Sequence, residues 1–272
     1  MRKSRWLVAD TYTLSKKSRR LVVDTGGKRS EIALATTDLL ATAGRGRITS
    51  DAVELLCSED TDLVLYDGTR HYWLDCGSRR AVEYLIGQRR ALTRLAEAAL
   101  TTYLRSAAQL LARMGSEARH LAAFYADNPS PEAAEKVEQI LLVEIYERLR
   151  VDIDYPLYTE IYRLYKAFIE AETISALLRA GLNPAISYRG RPFYHIAALE
   201  HHPPLIWESL RGLRHPQRPS RASWLLQLKN RVDGLLEYRG RALEARRVIS
   251  IRARGMASAA INDKVEVEPI EW

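Results

Sequence analysis

The stretch AVEYLIGQRRALTRLAEAALTTYLRSAAQLL, residues 81–111, decides the fold class because it has the pattern of one long helix. From Leu85 to Leu111 its apolar residues recur at three- and four-residue steps, which is the periodicity of an amphipathic α-helix. Its polar face carries arginines, namely Arg89, Arg90, Arg94 and Arg105. The character of the chain therefore changes from about residue 79, where a helical region begins.

The rest of that region continues the helical pattern. Further helices are predicted at Pro131–Arg150, Leu157–Ala180, Ser223–Leu236 and Ala242–Ile261. Ser130 is the expected N-cap of the first of these, with Pro131 in its first turn, where a missing N–H costs nothing. Gly181 follows the second as a C-cap glycine. The region is predicted to be almost entirely α-helical.

The residues before this region have the pattern of short β-strands joined by turns. Arg20–Val23 runs into a Gly-Gly pair and Ile32–Leu34 returns, and the Asp-Gly turn after Asp62–Tyr66 leads into His71–Leu74. One short helix is predicted at Ser50–Leu56, with Ser50 as its N-cap. The sequence therefore predicts an α+β protein, with a small N-terminal β domain at residues 1–78 and a larger all-α domain at residues 79–272.

Composition narrows the class of protein. The 41 lysines and arginines against 34 acids give a formal net charge of +7, which favours a polyanionic partner such as nucleic acid. No run approaches the roughly 20 apolar residues of a membrane-spanning helix, so a soluble, cytoplasmic protein without membrane contact is expected. Cys57 and Cys76 are not spaced as a metal pair and are interpreted as small apolar core residues.

Several segments, in the correct order, resemble the CRISPR adaptation integrase family, which inserts spacers into repeat arrays. The matching segments are Arg20–Val23, Ala43–Ser50, Asp62–Gly68, Gln88–Leu92, Glu172–Ile186 and, resembling the family's basic terminal helix, Tyr238–Arg241 followed by Val248–Arg254. The most specific of them is Glu172–Ile186, which reads ETISALLRAGLNPAI. The resemblance implies a small β domain followed by a helical domain, and a DNA endonuclease and integrase activity that depends on Mg²⁺ or Mn²⁺.

The family's metal site uses a glutamate on one helix, then a histidine and two acids farther along. Hard oxygen ligands of this kind hold a divalent ion that stabilises charge during in-line displacement at phosphorus. The resemblance places Glu138 at the first glutamate and Glu200 at the last acid, both as catalytic and metal-binding candidates. His195, five residues before Glu200, is a third candidate ligand because imidazole binds first-row transition metals.

The sequence departs from the family at this site. Ala197 stands where the first acid of the second segment belongs, and the turn at Tyr188–Gly190 contains no histidine. Each remaining candidate also has a structural interpretation: Glu200 as the partner of an arginine, His195 as a core residue with one hydrogen bond, and Glu138 as a solvated helix acid. Either the site is rebuilt from Glu138 and Glu200 with histidines of the cluster His195, His201 and His202, or the protein does not catalyse in the family's usual way.

Three functions stay open at this point. The first is an active metal-dependent integrase, the second a catalytically silent DNA-binding or assembly subunit beside an active homologue, and the third an unrelated helical adaptor. DNA contact is predicted for a basic set near the C-terminus: Arg239, Arg241, Arg246, Arg247, Arg252 and Arg254. The resemblance also implies a homodimer through the β domain and a second, small adaptation protein as partner.

Overall fold

The computed structural model describes residues 2–75, 82–149, 153–211, 221–238 and 241–262. The chain forms two compact units, Met1–Arg79 and Arg80–Trp272. The first is built on a β-sheet and the second is mostly helical, so the predicted α+β class is confirmed. Within the described residues, no helix has the length and apolar character needed to cross a bilayer.

The first unit is organised around one six-stranded mixed sheet. Its strands are β1 (Lys3–Lys17), β2 (Arg20–Asp24), β3 (Arg29–Ala33), β4 (Thr37–Ile48), β5 (Asp62–Tyr66) and β6 (His71–Leu74). They lie in the order β3-β2-β1-β4-β5-β6, with β1, β4 and β5 mutually parallel and the other pairs antiparallel. Both predicted hairpins are confirmed. The two long central strands, β1 and β4, were not recognised as such in the sequence.

A glycine makes the pairing of these central strands possible. The register between β1 and β4 shifts between Val8 and Thr11, as at a β-bulge. Opposite this shift, Gly44 has a φ of +123°, and a Cβ there would lie 1.7 Å from the carbonyl oxygen of Ala9. Only glycine fits both requirements. This explains the glycine in the quoted segment Ala43–Ser50.

One helix, α1 (Ser50–Ser58), packs against the sheet. Its Ala52, Leu55 and Leu56 join Leu14, Leu21 and Leu40 in a common buried core. Thr49, one residue earlier than predicted, occupies the N-cap position with extended dihedrals. Cys57 is disulfide-bonded, which corrects the expectation of two apolar thiols. Cys76 lies outside the described residues.

The second unit is a group of helices interrupted by two small hairpins. The helices are α2 (Val82–Arg113), α3 (Arg119–Asp127), α4 (Pro131–Glu147), α5 (Tyr155–Arg179), α6 (Phe193–Leu199), α7 (Glu208–Arg211), α8 (Arg221–Val232) and α9 (Ala245–Ile261). The hairpins are β7 (Ser187–Tyr188) with β8 (Arg191–Pro192), and β9 (Leu235–Tyr238) with β10 (Arg241–Glu244). A π-helical turn, Pro203–Trp207, joins α6 to α7. Helix α2 contacts α3, α4, α6 and α9 and is the centre of the unit.

Local sequence signals fix the ends of the helices that carry the candidate site. The Ser130 hydroxyl accepts a hydrogen bond from the backbone N–H of Ala133 at 3.1 Å, so the predicted cap of α4 is confirmed. The Asp154 carboxylate caps α5 in the same way through Leu157 at 2.7 Å. Gly181, with a φ of +82°, follows the end of α5 as expected.

The predicted helices are wrong at residues 235–236 and 242–244, which lie in the antiparallel strands β9 and β10. Helix α8 ends at Val232, and the backbone N–H of Gly234 turns back to the Arg231 carbonyl at 3.2 Å. Gly234 has low helix propensity, so the backbone groups beyond it gain more from a sheet ladder than from another helical turn. The shorter α9 still contains most of the predicted terminal helix.

Helix α9 lies against α2 through an unusually close backbone approach. A Cβ at Gly87 would lie 2.2 Å from the carbonyl oxygen of Ala260, so any other residue there forces the helices apart. Gln88, the next residue, is fully buried and hydrogen-bonds the backbone of Asn183 in both directions, at 3.0 and 2.8 Å. These contacts fix α9 and the end of α5 on α2.

Candidate functional site

The two glutamates predicted as metal ligands both lie inside the helical unit. Glu138 is on α4 with 6% of its surface exposed, and Glu200, directly after α6, has none exposed. An ionised carboxylate removed from water is stable only when it is paired and hydrogen-bonded. The neighbours of each glutamate therefore decide what it can do.

Glu138 is bound by two side chains of α5. The Lys166 ammonium lies 3.2 Å from Oε1 and 3.3 Å from Oε2, and the Tyr162 hydroxyl donates to Oε1. Lys166 and Tyr162 are four residues apart and therefore share one face of the helix. Burial, and then the charge of Glu138, raise the pKa of Tyr162 well above its usual value, so its hydroxyl keeps its proton.

Glu200 is bound by an arginine of α9. Arg252 donates from Nε to Oε1 at 3.1 Å and from Nη2 to Oε2 at 2.8 Å, which is the bidentate fork geometry of strong ion pairs. The pair is buried on both sides. Arg252 therefore faces the interior of the protein, whereas the sequence predicted that it would contact DNA at the surface.

His195 is held by a different acid. Its Nδ1 lies 2.8 Å from Oε1 of Glu170, one turn beyond Lys166 on α5. Glu170 is buried, and the His195 side chain is 22% exposed. Within the described residues the structure does not bring Glu138, Glu200 and His195 together as one ligand set, because each has its own partner.

Two neutral histidines complete the interior. Burial lowers the pKa of His201 to about 4 and that of His202 well below its usual value. His202 Nδ1 lies 3.8 Å from Oε1 of Glu138, beyond hydrogen-bond reach, and its ring meets those of Tyr103 and Trp207 nearly edge-on. Because His202 is uncharged, Lys166 is the cation that faces Glu138.

These residues do not fit the hard divalent ion that the resemblance implies. Mg²⁺ requires near-octahedral oxygen ligands at about 2.0–2.1 Å and tolerates little compromise in geometry. Here the oxygens of both glutamates are directed at Lys166, Tyr162 and Arg252, and Ala197, buried in α6, offers no oxygen. Over the described part of the chain, no three His, Cys, Asp or Glu side chains are grouped to hold a metal ion.

The remaining basic candidates lie near or on the surface. Arg241, Arg247 and Arg254 are exposed, and the last two are seven residues apart on one face of α9. Arg246 is mostly buried, with its Nε 3.9 Å from a carboxylate oxygen of Glu244. Arg239 lies outside the described residues. Helix α9 therefore has an inner face with Arg252 and an outer face with two exposed arginines.

The side chains that pair with these candidates were not predicted from the sequence. Tyr162, Lys166 and Glu170 follow one another at four-residue spacing within a largely buried helix. That spacing was available as a signal, because polar residues repeating every four positions in an apolar helix share a face that contacts something polar. It does not reveal which helix lies opposite.

The family model described as CRISPR associated protein Cas1 matches residues 6–149, which is more than half of the chain. The chain belongs to the Cas1 family. This confirms the resemblance drawn from the quoted segments. The matched residues include Glu138, whereas Glu200, His195 and Arg252 lie beyond them.

Solved structures show the same fold. The chain is similar to a casposase bound to integration product, with a TM-score of 0.74 and 13% identity over 98% of this chain and 92% of that one. A Cas1 protein from Thermotoga maritima gives a TM-score of 0.75 and 10% identity, covering 97% and 98% of the two chains. A chain of a Cas6-RT-Cas1–Cas2 complex gives 0.69 and 12%, over 98% of this chain and 36% of that one. No curated protein sequence matches.

Proposed function

We propose that this Cas1-family protein acts in CRISPR spacer acquisition as a DNA-binding subunit without phosphoryl-transfer chemistry of its own. The observation that carries the proposal is the bidentate ion pair between Glu200 and Arg252. A metal bound at Glu200 would have to displace a guanidinium that already uses both carboxylate oxygens. The active homologue that works beside this chain supplies the metal-dependent step.

The chemistry of strand transfer supports this assignment. In-line displacement at phosphorus requires an ion close to the reacting oxygens, held by several anionic ligands. This chain has Ala197 in place of one ligand, and protein cations bind the two acids that remain. If the protein is an active enzyme after all, Mg²⁺ or Mn²⁺ is the cofactor and Glu138, Glu200 and His195 are its first candidates; otherwise none is needed.

The DNA-binding part of the proposal rests on the surface of the helical unit. Arg247 and Arg254 project from one face of α9, and Arg241 is exposed on the neighbouring strand β10. Exposed guanidinium groups bind phosphate oxygens without reading the base sequence. A net charge of +7 supports the same partner.

We further propose the family's assembly partners for this chain. A second copy binds through the N-terminal sheet, where β3 and β6 each have one edge left unpaired within the described residues. The second, small adaptation protein is the other partner. Since the function concerns DNA and no described helix fits a membrane, the proposed location is the cytoplasm.

A paired assay on the purified protein tests the proposal. Binding to branched and duplex DNA is measured across a salt series, and strand breakage and joining are then measured with Mg²⁺, Mn²⁺ or chelator. The expected result is affinity that falls steeply with salt, because bound phosphates release counterions, together with no metal-dependent breakage or joining.

Two results would contradict the proposal in different ways. Chelator-sensitive breakage that is lost in both Glu138→Ala and Glu200→Ala identifies a rebuilt active site and an enzyme. Absence of DNA affinity at low salt indicates an adaptor unrelated to DNA. A parallel assay with an active Cas1-family protein, alone and mixed with this chain, serves as the positive control for the chemistry.

A further inference from the structure

We infer that Lys166 is a built-in counter-cation that takes the place of a divalent ion beside Glu138. The inference rests on the proposed function, since it explains how a Cas1-family interior remains stable without metal. It concerns this chain's own residues, whose arrangement disagrees with the ligand set that the family implies.

The position of the ammonium supports the inference first. Lys166 Nζ lies almost equally far from the two oxygens of Glu138, at 3.2 and 3.3 Å, so it contacts both oxygens of the carboxylate and not one alone. Only 20% of the lysine side chain and 8% of the glutamate side chain are exposed. Water therefore screens this pair weakly, and removing either side chain takes away the nearest opposite charge of the other.

Three further described side chains around Glu138 are neutral. Tyr162 donates a hydrogen bond, Tyr103 is fully buried with its pKa raised well above the usual value, and His202 is buried and uncharged. The carboxylate of Glu138 is therefore balanced by one ammonium, and the next acid along α5, Glu170, has its own contact with His195. A dication entering it would meet the ammonium within a few ångströms and be repelled.

The same pattern occurs a second time in the unit. Arg252 of α9 neutralises Glu200 at the end of α6, as Lys166 of α5 neutralises Glu138 of α4. In each case a cation from one helix holds an acid from another segment, which is the cross-linking that a metal ion performs with its ligands. Both acidic positions that the family resemblance assigns to the metal therefore have protein cations.

A double-mutant cycle tests the inference. Glu138→Gln, Lys166→Met and the double variant are compared with the wild type by denaturant unfolding in chelator. Each single change is expected to lower the folding equilibrium constant by roughly 100-fold or more, because it leaves a buried charge unpaired. The double variant removes both charges, so its loss should be at least about 30-fold smaller than the product of the single losses.

Two controls separate the ion pair from general damage to the fold. Lys166→Arg keeps the charge and should remain within about tenfold of wild type, far above Lys166→Met. Lys17 and Glu31 form an exposed pair at 3.0 Å in the other unit, and the equivalent cycle, Lys17→Met with Glu31→Gln, should be additive within about threefold.

A double variant no more stable than Lys166→Met overturns the inference, whether or not the single variant folds. So does a cycle at Glu138 and Lys166 that is as additive as the one at Lys17 and Glu31. No DNA is present in these measurements, so a failure of the proposed DNA binding leaves their result unchanged. Conversely, an additive cycle leaves the salt-dependent DNA binding intact.

Discussion

The two faces of α9 use the same type of side chain in opposite ways. On the inner face Arg252 is buried and both its bonds to Glu200 are made, whereas on the outer face Arg247 and Arg254 are exposed. Arginine content alone therefore does not locate a DNA-binding surface. The role of an arginine depends on whether it contacts a buried acid. In this chain Arg252 stabilises the fold through Glu200, whereas the exposed Arg247 and Arg254 can still bind phosphate.

The largest expected effect comes from breaking the inner pair. Arg252→Met removes both guanidinium hydrogen bonds from the buried carboxylate of Glu200, so the free energy of unfolding should fall by about 3–5 kcal/mol. Arg254→Met, two residues away on the exposed face, is the matched control and should change it by less than about 0.5 kcal/mol. Urea unfolding followed by circular dichroism measures both. Equal effects of the two substitutions would remove the distinction between the faces.

Acid should weaken the interior next. The pKa of His201 is lowered to about 4 by burial, from an ordinary value near 6.5. Below about pH 6.5 this histidine is protonated in the unfolded chain, whereas in the folded protein it stays neutral down to about pH 4. Its contribution to the free energy of unfolding is therefore complete above pH 6.5 and is lost as the pH falls. Between pH 7 and pH 5 the free energy of unfolding should fall by roughly 2 kcal/mol because of this histidine.

Unfolding of wild type and His201→Gln at both pH values checks this expectation. The variant should start less stable at pH 7 but lose less on acidification. His120→Gln, at an exposed position, is the control for the His→Gln substitution itself. Identical pH dependence in wild type and His201→Gln would show that this side chain is not the acid-sensitive group.

Substitutions on the outer face of α9 should weaken DNA binding with little effect on the stability of the protein. Replacing Arg247 and Arg254 by Gln removes up to two phosphate contacts, so the slope of log affinity against log salt should become shallower by about 1 for each contact with duplex DNA. Affinity at low salt should fall by roughly tenfold for the pair. Fluorescence anisotropy over a salt series measures both quantities, and an unchanged slope would assign DNA contact to another surface.

Local sequence signals predicted much of the architecture. The helix caps at Ser130 and Gly181, the two N-terminal hairpins and the long helix α2 follow from side chains near one another in the chain. The parallel pairing of β1 with β4 did not, since the partners in it are more than thirty residues apart. Nor did the β9–β10 hairpin, because its residues have no strong strand preference and tertiary context decided their conformation.

Of the groups in the candidate site, only the two glutamates could be predicted from the sequence. The family resemblance led to Glu138 and Glu200. For Glu200 the structural alternative, that it pairs with an arginine, is the interpretation that the structure bears out. Lys166 was missed because its acid comes from α4, and a single sequence does not state which helices pack together. Arg252 was assigned to the surface for the same reason, since a run of arginines at helical spacing gives no sign of which one faces inward.

The most direct test of the account is the unfolding of the wild-type protein in chelator and in Mg²⁺ or Mn²⁺ at about 10 mM, which is well above ordinary dissociation constants of metal sites. Because Lys166 and Arg252 already neutralise the two acids, the transition midpoint should be the same in all three conditions. A metal that binds only the folded protein raises its stability by RT ln(1 + [L]/Kd), about 2.7 kcal/mol at a hundredfold excess over Kd. A midpoint that rises with metal concentration, and stops rising in Glu138→Gln, would contradict the central claim.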